Sequence, residues 1–175
     1  MNLILLAGNS PENEEWIEEV ETVLGEVFDI TYVQRYDHWN GNGDVIDLDG
    51  ELEKLVDNEE QLRPYTIFAK SAGVLLTLKG MSEGVIKPEH NIFCGTPRGF
   101  ATRLNAPIDE WIGKLSTPTL FIQNYHDPAM HFEDLKEYLK QMGAKNYKLT
   151  RLEGSNHHYG DLEKIKQLTE GFVEE

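Results

Sequence analysis

Six short runs of apolar residues are spread along the 175-residue chain, separated by stretches in which apolar residues recur at helical spacing. This alternation predicts a parallel β-sheet covered by helices on both faces. The expected fold class is therefore α/β, a three-layer α/β/α arrangement with a mainly parallel six-stranded sheet. The predicted strands cover residues 3–7, 30–34, 66–70, 91–94, 119–123 and 147–151.

The stretches between the strands have the periodicity of amphipathic helices. Ser10 and Pro11 form a typical cap and first-turn pair at the start of the first helix, and Gly143 is a typical helix stop near the fourth. The predicted helices cover residues 11–24 and 48–58, a segment after Ser71, residues 131–142, and a segment from residue 159 or 161 to residue 173.

Two segments interrupt the alternation of strands and helices. Residues 36–44 are rich in turn formers and contain Trp39, and residues 96–117 form a partly helical excursion that contains Phe100 and Trp111. Such segments either border a ligand site or simply connect elements at the surface. We interpret the second as a short, cap-like excursion and expect the three aromatic residues to line an open, shallow substrate site.

Composition and charge limit the class of protein. The length favours one domain over residues 1–175, and 31 acidic against 16 basic residues give a formal net charge of −15. This excess of negative charge argues against nucleic acid or an anionic membrane as a partner. The single cysteine cannot form an internal disulfide, and the first apolar run is too short for a signal peptide. We therefore expect a cytoplasmic protein.

The most informative stretch covers residues 65–78, where an apolar strand turns abruptly at Ser71 and continues as a predicted helix. Small residues, Ala69 and Gly73, lie two positions before and after this serine. The pattern is close to the G-x-S-x-G turn, which exposes a nucleophilic serine between a strand and a helix. The alternative is that Ser71 merely caps the following helix.

Polar residues follow the last two predicted strands. Asp127 comes after the fifth strand, and His157 and His158 come after the sixth. The carboxyl ends of parallel strands meet at one edge of a sheet, where open α/β folds build their sites. With Ser71, these residues give the chain order serine, aspartate, histidine, which is the order of the α/β-hydrolases. Taken alone, Asp127 could instead belong to an Asp-Pro turn.

Four segments together resemble the α/β-hydrolase superfamily, in particular small serine hydrolases of the retinoblastoma-binding-protein type. They cover residues 3–9, 65–78, 116–128 and 154–157. The resemblance implies a minimal family core that lacks its first two strands. It also implies that Ser71 is the nucleophile, Asp127 the acid and His157 the base, with His158 as the competing candidate for the base.

The same resemblance implies an oxyanion hole, a pair of backbone N–H groups that stabilise negative charge on a carbonyl oxygen. The N–H of Ala72 would form one half, and the N–H of Asn9, after the first strand, would form the other. Gly8 would let the backbone approach the substrate. Tyr159, beside the two histidines, is interpreted as a packing residue.

Other kinds of chemistry lack support in the sequence. No pair of histidines has the H-x-x-x-H spacing of a helical zinc site, and neither a P-loop nor a G-x-G-x-x-G motif is present. Alternation along the strand predicts that Lys70 points away from Ser71, which argues against a Ser-Lys dyad. We therefore expect neither a metal nor a cofactor.

Two functional hypotheses follow from these observations. The first is a serine hydrolase that cleaves a small, neutral ester or related acyl compound through an acyl-serine intermediate. The second is a catalytically silent binding or interaction module, because a fold does not guarantee its chemistry. The edge strands of a short six-stranded sheet could also pair in a homodimer.

Overall fold

The computed structural model describes all 175 residues, and its centre is a six-stranded sheet in which every neighbouring pair of strands is parallel. The strand order is β2-β1-β3-β4-β5-β6. The structure confirms the six predicted strands and the three-layer α/β fold class. The strands are β1 (Asn2–Leu6), β2 (Thr31–Gln34), β3 (Tyr65–Lys70), β4 (His90–Cys94), β5 (Thr119–Asn124) and β6 (Tyr147–Leu152).

Six α-helices lie between the strands along the chain, and a seventh follows the last strand. They are α1 (Asn13–Leu24), α2 (Leu48–Glu59), α3 (Ala72–Glu83), α4 (Arg98–Arg103), α5 (Ile108–Gly113), α6 (Phe132–Gln141) and α7 (Leu162–Val173). None of them is both long enough and apolar enough to cross a membrane.

The start of α1 corrects one prediction from the sequence. Ser10 and Pro11 do not cap this helix, which begins at Asn13 and has Glu12 at its N-cap position. The carbonyl of Ser10 instead accepts hydrogen bonds from both the backbone and the side chain of Asn13. These bonds close a separate turn before the helix, so the helix starts two residues later than predicted.

The two faces of the sheet carry separate apolar cores. Successive side chains of a strand point to opposite faces, and in β1 the side chains of Ile4 and Leu6 enter one core while those of Leu3 and Leu5 enter the other. The first core includes residues of α2, α3, α5 and α6, and the second includes residues of α1 and α7. The near-continuous apolar character of the strands follows from burial on both sides.

The excursion after β4 consists of α4 and α5, which have different surroundings. Helix α5 packs against α3 and contributes Ile108, Trp111 and Ile112 to the core. Helix α4 lies at the carboxyl edge of the sheet and buries only Ala101 fully. Only the first half of the excursion is therefore placed to border a site at that edge.

Candidate active site

Ser71 occupies the turn between β3 and α3 in a strained backbone conformation. Its φ is 50° and its ψ is −109°, and its side chain makes no capping hydrogen bond to α3. Positive φ is uncommon for a residue with a side chain and indicates strain that the surrounding structure must hold. The Ser71 N–H donates to the carbonyl of Cys94 at 3.1 Å. Ser71 thus occupies the N-cap position of α3 without a side-chain capping bond, and the turn has the strained strand-to-helix geometry that the G-x-S-x-G pattern predicts.

Glycine at position 73 is required for this turn. A Cβ atom there would lie 2.4 Å from the carbonyl oxygen of Leu6, well inside van der Waals contact. The Gly73 N–H donates to the carbonyl of Ala7 at 2.9 Å, which ties the first turn of α3 to the end of β1. The small residues around Ser71 therefore allow the strand and the helix to approach each other closely.

Asp127 and His157 form a hydrogen-bonded pair at the ends of β5 and β6. His157 Nδ1 lies 2.8 Å from Asp127 Oδ2 and 2.9 Å from Asp127 Oδ1. His158 is exposed, and its backbone N–H bonds to Asn156. The structure thus selects His157 as the partner of the aspartate. With Nδ1 donating to the carboxylate, His157 Nε2 is left to accept a proton.

The carboxylate of Asp127 is completely buried and accepts further hydrogen bonds. The hydroxyl of Tyr159 donates to Oδ2 at 2.6 Å, and the N–H of Ala129 donates to Oδ1 at 2.8 Å. Burial and the neighbouring carboxylate raise the pKa of Tyr159 well above its ordinary value, so its hydroxyl keeps the proton that it donates. Tyr159 is therefore more than the packing residue that the sequence predicted. The only sequence signal for its contact with Asp127 was its position two residues after His157.

Gly95, directly after β4, makes room for the ring of His157. Its φ is +67°, and a Cβ atom there would lie 2.6 Å from His157 Cε1. The role of Gly95 is not evident in the sequence, because the contact joins residues far apart in the chain. Its only signal was a glycine immediately after a predicted strand.

Asn9 is held by four hydrogen bonds to the segment that follows β2. Its side chain donates to the carbonyl of Asp44 and accepts from the N–H of Ile46. Its carbonyl oxygen lies 2.6 Å from His38 Nε2 and accepts from Trp39 Nε1 at 3.0 Å. These contacts fix the loop after β1 in front of α3. His38, which is buried behind this loop, was not among the residues predicted from the sequence.

The backbone N–H groups of Asn9 and Ala72 have no hydrogen-bond acceptor in the protein. Buried or partly buried N–H groups normally find a partner. Asn9 lines the same cleft as Ser71, and Ala72 follows Ser71 directly, so the two free donors are compatible with the predicted oxyanion hole.

A cleft of about 670 Å³ contains these groups. Ser71, His157, Asn9 and Phe100 all line it, and α4 forms part of its rim. No hydrogen bond joins Ser71 Oγ to His157, although the two residues face the same cleft. Hydrogen bonds between catalytic groups are often long before substrate is bound, and they shorten in the complex.

Two of the three aromatic residues expected to line the site do not reach it. Trp39 lies behind Asn9, packed against Tyr36 with ring centroids 4.9 Å apart. Trp111 is 8% exposed and belongs to the core beside α3. The prediction that Trp39 and Trp111 line the site is therefore wrong. Aromatic residues outside the strands can pack in the core as readily as they line a cleft. Phe100 does line the cleft.

Lys70 lies on the cleft wall, but its ammonium bonds to α1 and not to Ser71. Its Nζ donates to Asn13 Oδ1 at 2.7 Å and lies 4.6 Å from the ring centroid of Trp16. Burial lowers the pKa of Lys70 to about 8, while nearby Cys94 and Asp127 act in the opposite direction. This arrangement gives no support to a Ser-Lys dyad.

The structure contains neither a reactive cysteine nor a metal-binding cluster. Cys94 is fully buried, and burial raises the pKa of its thiol well above the ordinary value, which keeps the thiol protonated and unreactive. No group of three histidine, cysteine, aspartate or glutamate side chains could hold a metal ion.

Solved structures with the same fold are numerous, and several are hydrolases. A protein described as a YdeN-like hydrolase from Pectobacterium atrosepticum superposes with a TM-score of 0.78 at 18% identity, covering 99% of this chain and 90% of that one. A ferulic-acid-bound esterase from Butyrivibrio proteoclasticus gives 0.73 at 19% identity, with 98% and 87% coverage. An esterase from Pyrococcus furiosus gives 0.71 at 16% identity, with 99% and 81% coverage.

The chain therefore has the α/β-hydrolase fold, which confirms the resemblance recognised in the sequence at the level of the fold. No protein-family model and no curated protein sequence matches the chain.

Proposed function

We propose that this protein is a serine hydrolase that cleaves small carboxylic esters through an acyl-serine intermediate. One observation carries the proposal: His157, hydrogen-bonded to the buried Asp127, and the strained Ser71 line a single cleft on an α/β-hydrolase fold. A serine hydroxyl is a weak nucleophile until a base takes its proton, and the base needs a group that holds and supports it.

In the first half of the proposed reaction, Ser71 Oγ attacks the carbonyl carbon of the ester while His157 Nε2 takes the hydroxyl proton. Asp127 holds the imidazole by Nδ1 and stabilises the positive charge that it acquires. The carbonyl oxygen becomes negative and accepts hydrogen bonds from the N–H groups of Asn9 and Ala72. His157 then gives the proton to the leaving alcohol oxygen, and the acyl group stays on Ser71.

In the second half, a water molecule attacks the acyl carbon and His157 takes its proton. The bond from the acyl carbon to Ser71 Oγ breaks, and the proton returns to Ser71. The carboxylic acid leaves, and the side chains regain their starting protonation states. Every proton transfer passes through His157, whose neighbour Gly95 leaves its ring room to lie in this position.

The choice of an ester as substrate is supported by the structural neighbours, which include esterases from two organisms named above. Their sequences are too different to transfer a particular substrate. The open cleft of about 670 Å³ is large enough for a small acyl compound and its alcohol.

The proposal is tested by replacing Ser71. Hydrolysis of short-chain 4-nitrophenyl esters should fall by about 10³-fold or more in Ser71→Ala, because the nucleophile is lost while the fold remains. Wild type should also gain the mass of a fluorophosphonate adduct, and Ser71→Ala should not.

The matched control is Ser116→Ala, which removes an exposed hydroxyl just before β5, at the opposite end of the sheet. This variant should turn over ester and gain the adduct as wild type does. If wild type is inert to both ester and fluorophosphonate, the hydrolase proposal is wrong, and a binding module with a silent triad becomes the better interpretation.

A further inference from the structure

Two cationic residues line the cleft without a carboxylate partner. Lys70 and Arg103 both border it, and no carboxylate oxygen lies within 4.0 Å of either cation. Most other basic side chains of this acidic chain form ion pairs, for example Lys54, Lys79 and Arg35. Two of the five basic residues that form no ion pair therefore line the cleft, and the other three, Lys87, Lys145 and Lys164, do not.

The environment of Lys70 is suited to binding an anion. The residue is only 5% exposed, and its ammonium, which has three N–H donors, has a single acceptor in Asn13. A largely buried charge with unused donors is costly unless a partner of opposite charge completes its contacts. Asn13 lines the same cleft, so such a partner could approach from there.

Arg103 supplies a second, exposed cation at the rim. It is exposed at the end of α4, and its guanidinium carbon lies 5.2 Å from the ring centroid of Phe100. Guanidinium groups pair readily with carboxylates because their donors match the spacing of the two oxygens. The only acidic residue lining the cleft is Asp44, which is exposed.

We infer that the substrate carries a carboxylate in addition to the ester that is cleaved, and that Lys70 and Arg103 bind this carboxylate. The inference rests on the proposed hydrolase function and names its substrate class. The expectation from the sequence was a neutral substrate, and the chain carries a formal net charge of −15. Charge interactions are screened beyond about 8–10 Å in physiological salt, so the two cations inside the cleft outweigh the distant acidic surface.

The test compares two esters that differ only in charge, 4-nitrophenyl hydrogen adipate and its methyl ester, at pH 7. The measured quantity is the ratio of kcat/KM for the anionic ester to kcat/KM for the neutral one. Loss of a charged hydrogen bond should lower this ratio about tenfold in Lys70→Met and by a smaller factor in Arg103→Met. Because both esters are assayed on one preparation, unfolded protein cancels from the ratio.

Lys145→Met is the matched control, since it removes an equal charge from an exposed lysine just before β6, at the opposite end of the sheet. Its ratio should equal that of wild type. A second pair, 4-butyryloxybenzoate and its methyl ester, places the carboxylate on the leaving group and so shows which half of the substrate carries it. If Lys70→Met changes the ratio in neither pair, the inference is overturned.

Failure of the hydrolase proposal would be recognised separately, because wild type would then hydrolyse neither the charged nor the neutral esters. In that case calorimetric titration of Ser71→Ala with adipate decides the inference. Adipate should bind, and adding Lys70→Met should weaken its affinity about tenfold. Absence of binding, or equal affinity in both proteins, would show that the cations do not recognise a carboxylate.

Discussion

The hydroxyl of Tyr159 donates one of the hydrogen bonds that keep the buried carboxylate of Asp127 in place. In Tyr159→Phe this donor is lost, and the free energy of unfolding should fall by about 2 kcal/mol, as expected for a buried hydrogen bond to a charged group. Because Asp127 then holds His157 less firmly, kcat should fall roughly tenfold with KM little changed. Urea unfolding and steady-state kinetics measure the two effects.

Tyr125→Phe is a suitable control for Tyr159→Phe, because the hydroxyl of Tyr125 forms no hydrogen bond within the protein and its ring packs near Arg151. It should change neither quantity. Equal kcat in Tyr159→Phe and wild type would mean that Tyr159 only packs, as the sequence suggested.

The strained backbone of Ser71 leads to a prediction about stability. Ser71→Ala keeps a side chain in the left-handed region, whereas Ser71→Gly removes the steric conflict. Ser71→Gly should therefore be more stable than Ser71→Ala by about 1 kcal/mol, measured by urea unfolding. Both variants lack the nucleophile, so activity does not complicate the comparison. Equal stability of the two would show that the turn is not strained.

At the scale of secondary-structure elements, Gly95 at the end of β4 leaves room for the ring of His157 because it has no side chain. Gly95→Ala should push the imidazole away and reduce kcat/KM roughly 100-fold, because a shift of about 1 Å in a catalytic group costs this much. The measurement is hydrolysis of a 4-nitrophenyl ester, with folding checked by circular dichroism.

Gly84→Ala separates this effect from backbone strain. Gly84 also has positive φ, at +73°, but an added Cβ would meet nothing within 4 Å. Gly84→Ala should lose about 1 kcal/mol of stability from strain and keep its activity. Gly95→Ala should lose activity and more stability, because its Cβ also meets the rings of His157 and Tyr159. Similar loss of activity in the two variants would show that strain, and not displacement of His157, is responsible.

The elements that the sequence predicted well are those whose signal is local. Strands buried on both faces appear as apolar runs, so the bounds of all six were predicted to within one residue. The start of α1 was misplaced because Ser10 and Pro11 have the composition of a helix cap, while the competing turn depends on Asn13. The surroundings of Trp39 and Trp111 depend on tertiary packing, which no local pattern contains.

At the scale of the whole molecule, parallel topology explains why part of the site could be predicted. Ser71, Asp127 and His157 each follow a strand, and a parallel sheet brings all strand ends to one edge. The choice between His157 and His158 could not be made from the residues alone, since it depends on the path of one loop. Contacts between distant segments, such as that of Gly95 with His157, depend on the fold, and the sequence offers only a glycine directly after a strand.

The charge of the whole molecule and the charge of the cleft have opposite signs. The net charge is a sum over the surface, while binding depends on the few groups that a ligand touches. Lys70 and Arg103 are therefore more informative about a substrate than the composition of the chain. A composition argument remains valid for nucleic acids and membranes, which need an extended basic surface.

The close contact between β1 and α3 also bears on conformational entropy. Gly73 donates to Ala7, and Leu6 lies against Gly73, so the N–H groups of Asn9 and Ala72 are ordered when the sheet forms. Their loss of freedom occurs once, during folding, and does not recur with each ligand. In the proposed reaction, a ligand oxygen therefore meets donors that are already ordered, and its binding free energy does not have to offset their ordering.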